Sequence, residues 1–166
     1  KYHWKTEREW ISYIPGIVKG IGLAVQCFTQ PGDKVIIQPP VYHPFRLVPT
    51  RMGREVVYNP LKLEDGVYKM DFEQLESLID KDCKMLILSN PHNPGGVVWE
   101  KEALVKLAQI CSAHGILVIS DEIHAEMTYP QFRHHPFATV SEEAAACSVT
   151  FMAPSKTFNI AGIVSS

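Results

Sequence analysis

The stretch CKMLILSNPHNPGG, residues 83–96, joins an apolar segment to a loop rich in proline and glycine. Its first part, CKMLILSN, is a short and nearly continuous apolar run, which predicts a strand buried on both faces. Its second part, PHNPGG, has the residue types that end strands and form turns. The sequence therefore predicts that Asn90 and Asn93 follow directly after a buried strand.

Helices and strands alternate on both sides of this stretch. Further strands are predicted at KVIIQPP (34–40), EVVYNPL (55–61), ILVISDE (116–122) and CSVTFMAPS (147–155). A helix is predicted in PGIVKGIGLAVQCFTQPGD (15–33), with Ile17, Ile21, Val25 and Phe28 near helical spacing. Asp71 is a good N-cap for a second helix carrying Phe72, Leu75, Leu78 and Ile79. A third, in EKEALVKLAQICSAHG (100–115), turns Leu104, Leu107, Ala108 and Cys111 inward.

Buried strands between amphipathic helices predict an α/β fold with a mostly parallel, mixed sheet flanked by helices in three α/β/α layers. Ligands of such sheets bind at the carboxyl ends of the strands. Polar clusters are predicted there at residues 90–93, 121–124 and 155–156, and a further cluster, residues 16–19, begins a helix. These clusters are the candidate site.

Composition narrows the class of protein. The chain has 166 residues, a formal net charge of −2 and 46% hydrophobic residues, which is typical of one globular domain. Nothing favours nucleic-acid binding or a membrane span. Four cysteines without a C-x-x-C pair suggest neither zinc nor a disulfide framework, and a cytoplasmic setting is expected. The abrupt ends, KYHWKTEREW and AGIVSS, suggest a piece of a longer protein.

Each cluster has an ordinary and a chemical interpretation. Asp121 could cap a helix, form a structural salt bridge, ligate a metal together with His124, or pair with a ring nitrogen of a cofactor. The Asn-Pro loop could be only a turn, or it could aim an amide into the crevice above the sheet. Tyr42 could belong to the core or stack on a planar ring. PGIVKGIG could be an ordinary helix start or hold a phosphate on its free N–H groups.

Taken together, these features suit pyridoxal 5′-phosphate. In chain order they are a phosphate-binding helix start, a stacking aromatic, an amide, a carboxylate and a lysine. The lysine would form a Schiff base, and the carboxylate would hold the pyridinium proton. Small and apolar neighbours of Lys156 are expected to favour its neutral amine.

The motifs NPHNPGG, SDEIH and SKTFNIAG resemble the class I/II aminotransferase superfamily, fold type I of the pyridoxal-phosphate enzymes. SDEIHAEM and PSKTFNIAG look most like C–S lyases of the cystathionine β-lyase type, because aminotransferases more often carry tyrosine at the position of His124. The resemblance covers essentially residues 1–166 and matches the cofactor-binding large domain, without its N-terminal segment and small C-terminal domain.

The resemblance implies a role for each matching residue. Lys156 would be the Schiff-base lysine and general base, and Asp121 would pair with the pyridine nitrogen. Asn93 would donate to the phenolic oxygen of the ring, and His124 would lie near it. The remaining contacts are stacking by Tyr42, phosphate binding by the backbone N–H groups of Ile17 and Val18, and a hydroxyl from Ser155.

The resemblance also implies an activity. Many aminotransferases have a phosphate-binding arginine where Val164 stands and a serine where Ala153 stands, which favours a lyase. The expected reaction is α,β-elimination on cystathionine- or cysteine-type amino acids, giving a thiol, pyruvate and ammonia. A homodimer is expected for the full-length protein. The alternatives are an aminotransferase with the same cofactor contacts, and an inactive cofactor-binding fragment.

Overall fold

The computed structural model describes Tyr2, residues 4–162 and Ser166. The strands are β1 (Lys34–Ile37), β2 (Glu55–Tyr58), β3 (Lys62–Glu64), β4 (Val67–Lys69), β5 (Cys83–Ser89), β6 (Leu117–Asp121) and β7 (Ser148–Phe151). The α-helices are α1 (Ile17–Phe28), α2 (Pro44–Arg51), α3 (Phe72–Leu78), α4 (Lys101–Ala113), α5 (Glu142–Ala146) and α6 (Pro154–Thr157). Short 3₁₀ turns lie at Arg8–Trp10 and Phe137–Thr139.

Five strands form one sheet in the order β2-β1-β5-β6-β7, and every neighbouring pair is parallel. The predicted α/β class and the largely parallel sheet are therefore confirmed. Within the described residues, antiparallel pairing occurs only between β3 and β4, in a separate hairpin. The register pairs Ser89 with Asp121 at the carboxyl ends of β5 and β6. Two of the predicted polar clusters thus leave the sheet side by side.

Two apolar cores cover the two faces of this sheet. Leu86 and Leu88 of β5 pack in one core with Leu104 and Leu107 of α4. Met85 and Ile87 pack in the other core, which includes Ile21 of α1. Successive side chains of a strand point to opposite faces, so a nearly unbroken apolar run is what a strand covered on both sides requires. The predicted three-layer arrangement is confirmed.

Most of the predicted helix details are also confirmed. Asp71 caps α3, because its carboxylate accepts a hydrogen bond from the backbone N–H of Gln74 at 3.1 Å. The four predicted inward residues of α4 are all buried. Phe28 is the last residue of α1, and its side chain is 55% exposed, since it lies one turn beyond Val25, the last buried residue of that helix. Among the described residues, none of the helices is both long and apolar enough to cross a bilayer.

Replacing Leu86 by alanine tests the two-core arrangement. Leu86 is fully buried, so Leu86→Ala should lower the free energy of unfolding by about 2–5 kcal/mol. Lys84→Ala, in the same strand but exposed, is the control and should change it by less than about 0.5 kcal/mol. Urea denaturation measures both, and equal effects of the two substitutions would contradict the burial of Leu86 in its core.

Candidate active site

A cleft of about 370 Å³ opens at the carboxyl ends of β5 and β6. The start of α1, the loop after β1 and the turn of α6 complete its walls. The eight residues predicted to contact the cofactor all lie along it: Ile17, Val18, Tyr42, Asn93, Asp121, His124, Ser155 and Lys156. These side chains and backbone groups come from five separate segments, so the fold alone brings them together. Their individual roles toward a ligand stay predictions.

The start of α1 presents to the cleft backbone donors that have no acceptor among the described residues. Gly16, with φ of 100°, precedes the helix and supplies no side-chain cap. The first helical bond runs from the N–H of Gly20 to the carbonyl of Gly16 at 3.0 Å. The N–H groups of residues 17–19 therefore have no acceptor within the helix, and the helix dipole adds positive potential there. This end of the cleft suits a phosphate.

Asp121 ends β6 as a buried carboxylate with a single described donor. Its side chain accepts a hydrogen bond from the N–H of Ile123 at 3.2 Å. Burial raises the pKa of Asp121 to about 6, with a smaller contribution from the charge of Glu122. No lysine or arginine of the described chain forms a salt bridge with it, so the structural-salt-bridge interpretation gains no support there. A protonated ring nitrogen would supply the missing donor.

The metal interpretation of Asp121 and His124 also gains no support from the structure. Across the described residues, no three side chains of the histidine, cysteine, aspartate and glutamate types come together as metal ligands. Metal sites in proteins normally need at least three such ligands held at short distances.

The two asparagines of the Asn-Pro loop have different environments. Asn90 is fully buried, and its amide donates to the carbonyl of His135 at 3.0 Å. Asn93 lines the cleft, and its backbone N–H donates to the hydroxyl of Ser89 at 3.0 Å. Ser89 in turn donates to the carbonyl of Pro91 and accepts, through its own carbonyl, from the indole N–H of Trp99. The loop is a braced turn that directs only its second asparagine to the cleft.

His124 and Lys156 both line the cleft and lie close enough to interact electrostatically. Burial, and secondarily the positive charge of Lys156, lower the pKa of His124, so its imidazole is neutral at neutral pH. The expected apolar enclosure of Lys156 is wrong for this chain. Lys156 is exposed at the mouth of the cleft, because its apolar neighbours Met152 and Phe158 are themselves exposed, Phe158 by 70%.

Two further positions discussed from the sequence, Tyr42 and Ala153, are described by the structure. Tyr42 is 38% exposed and lies in the wall of the cleft, with edge-on ring contacts to His43 and Phe45, so it is not a core residue. Ala153 is partly buried against the core on the α1 side of the sheet. Val164 lies outside the described residues.

Sequence reasoning missed two residues that support the site. Glu122 is fully buried and faces away from Asp121: it accepts hydrogen bonds from Ser120, from the N–H of Phe137 and from His134, each at 2.8 Å. The alternation of side chains along β6 was a signal for this opposite orientation. The second is Ser89, whose place as the final residue of a buried strand was the only hint.

The residues present fit pyridoxal 5′-phosphate by their chemistry. The N–H groups at the start of α1 can bind an anion at one end of the cleft. Asp121, a buried carboxylate with one described donor, can bind a cationic ring nitrogen. Asn93 can donate to a ring oxygen, and Lys156 carries the amine that an aldehyde requires. A cleft of this volume holds a ligand of that size.

Comparisons with known proteins identify the family of this chain. The family model described as aminotransferase class I and II matches residues 1–165. The cystathionine β-lyase PatB of Bacillus subtilis is 48% identical over all of this chain and 43% of its own length. Cystalysin from Treponema denticola, whose structure contains pyridoxal 5′-phosphate, superposes with a TM-score of 0.96 at 41% identity, over 99% of this chain and 42% of its own. An aspartate aminotransferase of Sulfolobus acidocaldarius is 32% identical over 78% of this chain and 32% of its own length. The chain spans less than half of each of these proteins.

Asp121→Asn should stabilise the cofactor-free chain. A carboxyl whose pKa is raised from 3.8 to about 6 by folding keeps its proton in the folded state while the unfolded chain loses it, so stability falls as pH rises from about 4 to about 6. At 1.36 kcal/mol per unit of pKa, the cost above pH 6 is about 3 kcal/mol. The asparagine variant avoids that cost.

Urea denaturation at pH 4 and pH 7.5 measures this effect. The advantage of Asp121→Asn over the unsubstituted chain should be near zero at pH 4 and largest at pH 7.5. Glu76→Gln, an exposed change in α3, should show no such difference between the two pH values. An Asp121→Asn variant that is less stable at pH 7.5 would refute the assignment of a costly buried charge.

Proposed function

The chain belongs to the class I and II aminotransferase family, and on that premise we propose that its cleft binds pyridoxal 5′-phosphate for α,β-elimination on sulfur amino acids. The products are a thiol, pyruvate and ammonia. In this proposal residues 1–166 are the cofactor-binding large domain of a C–S β-lyase. The activity belongs to the whole protein, of which this chain supplies the chemistry-bearing residues.

One observation carries the proposal: an anion-binding helix start, a buried carboxylate and an amine line a single cleft. The donors at residues 17–19 hold the phosphate, and Asp121 holds the proton of the ring nitrogen. Asn93 and His124 contact the phenolic oxygen, Ser155 adds a hydroxyl for the phosphate, and Tyr42 packs on the ring face. Each contact needs a different part of one ligand, and pyridoxal 5′-phosphate has all of them.

When bound, the cofactor supplies an aldehyde that condenses with amines and a pyridinium ring that withdraws electrons from the attached carbon. Lys156 acts as general base and takes the Cα proton of the substrate. Asp121, ionised beside the cationic ring, keeps that ring protonated. His124, neutral at neutral pH, donates or accepts one hydrogen bond without adding charge. The substrate then loses its thiolate from Cβ, and hydrolysis of the remaining fragment gives pyruvate and ammonia.

The lyase is preferred to an aminotransferase by the relatives and by two positions. The cystathionine β-lyase PatB and cystalysin are similar to this chain along essentially its whole length. The aspartate aminotransferase aligns with only 78% of it. His124 follows Asp121 by three residues, and Ala153 offers no hydroxyl for the phosphate. The aminotransferase remains the second candidate, since the family includes both reactions.

The proposal extends to the surroundings of the enzyme. The substrate is a small sulfur amino acid, and the full-length protein is a cytoplasmic homodimer.

Lys156→Ala tests the proposed function directly. The unsubstituted protein should develop a visible absorbance band with added pyridoxal 5′-phosphate and release pyruvate from cystathionine in its full-length form. Lys156→Ala should lose the band of the lysine adduct and at least about a thousandfold in pyruvate release, since one group serves as both attachment point and base. Lys106→Ala, on the distant helix α4, is the control. Amino-group transfer to a 2-oxo acid without pyruvate release would contradict the lyase and favour the aminotransferase.

Gly16→Ala tests the phosphate end of the cleft. Gly16 has φ of 100°, which an alanine avoids, so the substitution should reorient the first turn of α1. We expect about tenfold weaker binding of pyridoxal 5′-phosphate and unchanged binding of pyridoxal, which lacks the phosphate.

Gly22→Ala, within the same helix, provides the matched control. An added Cβ there lies 3.8 Å from Val48, an ordinary contact, so both ligands should bind as before. Equal losses for pyridoxal and its phosphate in Gly16→Ala would show that the helix start does not hold the phosphate.

A further inference from the structure

His92 belongs to the loop that carries Asn93, and its side chain reaches the loop that carries Tyr42. Its side chain is buried, with 4% exposure, and it does not line the cleft. The Nε2 atom is 2.7 Å from the carbonyl oxygen of Pro40. Because a carbonyl oxygen can only accept, Nε2 carries the hydrogen and donates. This bond joins residues that are 52 positions apart in the sequence.

The surroundings of His92 hold its ring in one orientation. The indole of Trp99 packs edge-on against the imidazole, with ring centroids 5.4 Å apart. The backbone of His92 donates to Val97 at 2.7 Å and accepts from Gly96 at 2.9 Å, which closes the turn. A Cβ at Gly95 would lie only 2.9 Å from the imidazole, so this glycine is needed for the close approach. Burial lowers the pKa of His92, which keeps the ring neutral at neutral pH.

We propose that His92 is a positioning residue whose Nε2–H bond to Pro40 fixes the separation of Tyr42 from Asn93. Pro40 stands two residues before Tyr42, and His92 directly precedes Asn93. The bond therefore sets the position of Tyr42, which packs on the face of a planar ring, relative to Asn93, which donates to the oxygen at the edge of that ring. This inference rests on the proposed function, because the planar ring is that of pyridoxal 5′-phosphate.

Two substitutions separate the hydrogen bond from the packing of the ring. His92→Phe keeps an aromatic ring beside Trp99 and removes the donor. His92→Gln removes the ring, while its side-chain amide places a donor near the former Nε2 position. Cys111→Ala is the stability control, because Cys111 is fully buried on α4, in the core on the other side of the sheet from α1.

The first measurement is the dissociation constant for pyridoxal 5′-phosphate, followed by absorbance, alongside the free energy of unfolding in urea. We expect His92→Phe to bind about tenfold more weakly, the equivalent of about one hydrogen bond, and His92→Gln to bind within about threefold of the unsubstituted chain. Cys111→Ala should lower stability without changing the dissociation constant. Any other pattern for the two His92 variants overturns the proposal.

The second measurement is amide hydrogen exchange without cofactor, which tests His92 even if the chain fails to bind pyridoxal 5′-phosphate. The N–H of Phe45 bonds to the carbonyl of Tyr42, and the N–H of Asn93 bonds to Ser89, so these two amides report on the two loops. Both should exchange faster in His92→Phe and at the original rate in His92→Gln. Unchanged exchange in His92→Phe overturns the role of His92, whereas absent cofactor binding by the unsubstituted chain contradicts only the proposed function.

Discussion

The side-by-side ends of β5 and β6 are the constraint on which the rest of the site depends. Ser89 and Asp121 are register partners, and the N–H of Asn90 bonds to the carbonyl of Asp121 at 2.9 Å. Parallel strands leave a sheet at the same edge, so this pairing sets the amide-bearing loop beside the carboxylate. The two apolar cores hold both strands from either face. The cleft is thus a consequence of strand register rather than of any single side chain.

The two consecutive carboxylates at the end of β6, Asp121 and the following Glu122, have different roles, one chemical and one structural. Glu122 faces the core and accepts from three described donors, and two of them, His134 and Phe137, join the segment at residues 134–137 to the strand end. Asp121 faces the cleft and has one described donor, with a raised pKa as the result. A buried carboxylate left short of donors is costly to the free chain and becomes favourable only when a cationic group arrives. Asp121 is therefore the position in the cleft that favours binding of a cationic group.

Much of the fold was predictable because the sequence signals were local and strong. Apolar runs such as residues 83–90 and helical spacing such as Leu104 to Cys111 depend on burial alone. The hairpin of β3 and β4 was missed although Asp65 and Gly66, both with positive φ, are a typical turn pair, because its strands are short and mostly exposed. The exposure of Lys156 and the contact of His92 with Pro40 could not be predicted from the sequence, since both depend on how distant loops come together in the fold. The residues that line the cleft together with Lys156 were predictable as a set, because the carboxyl ends of parallel strands lie at one edge of the sheet.

The central claim is that Lys156, among the lysines of the chain, carries pyridoxal 5′-phosphate in this cleft. Borohydride reduction of the protein incubated with the cofactor converts a reversible lysine adduct into a stable one, and peptide mass spectrometry then locates it. We predict one reduced adduct, on the peptide containing Lys156. An unlabelled protein, or an adduct confined to another residue such as Lys19 at the same cleft, would contradict the account.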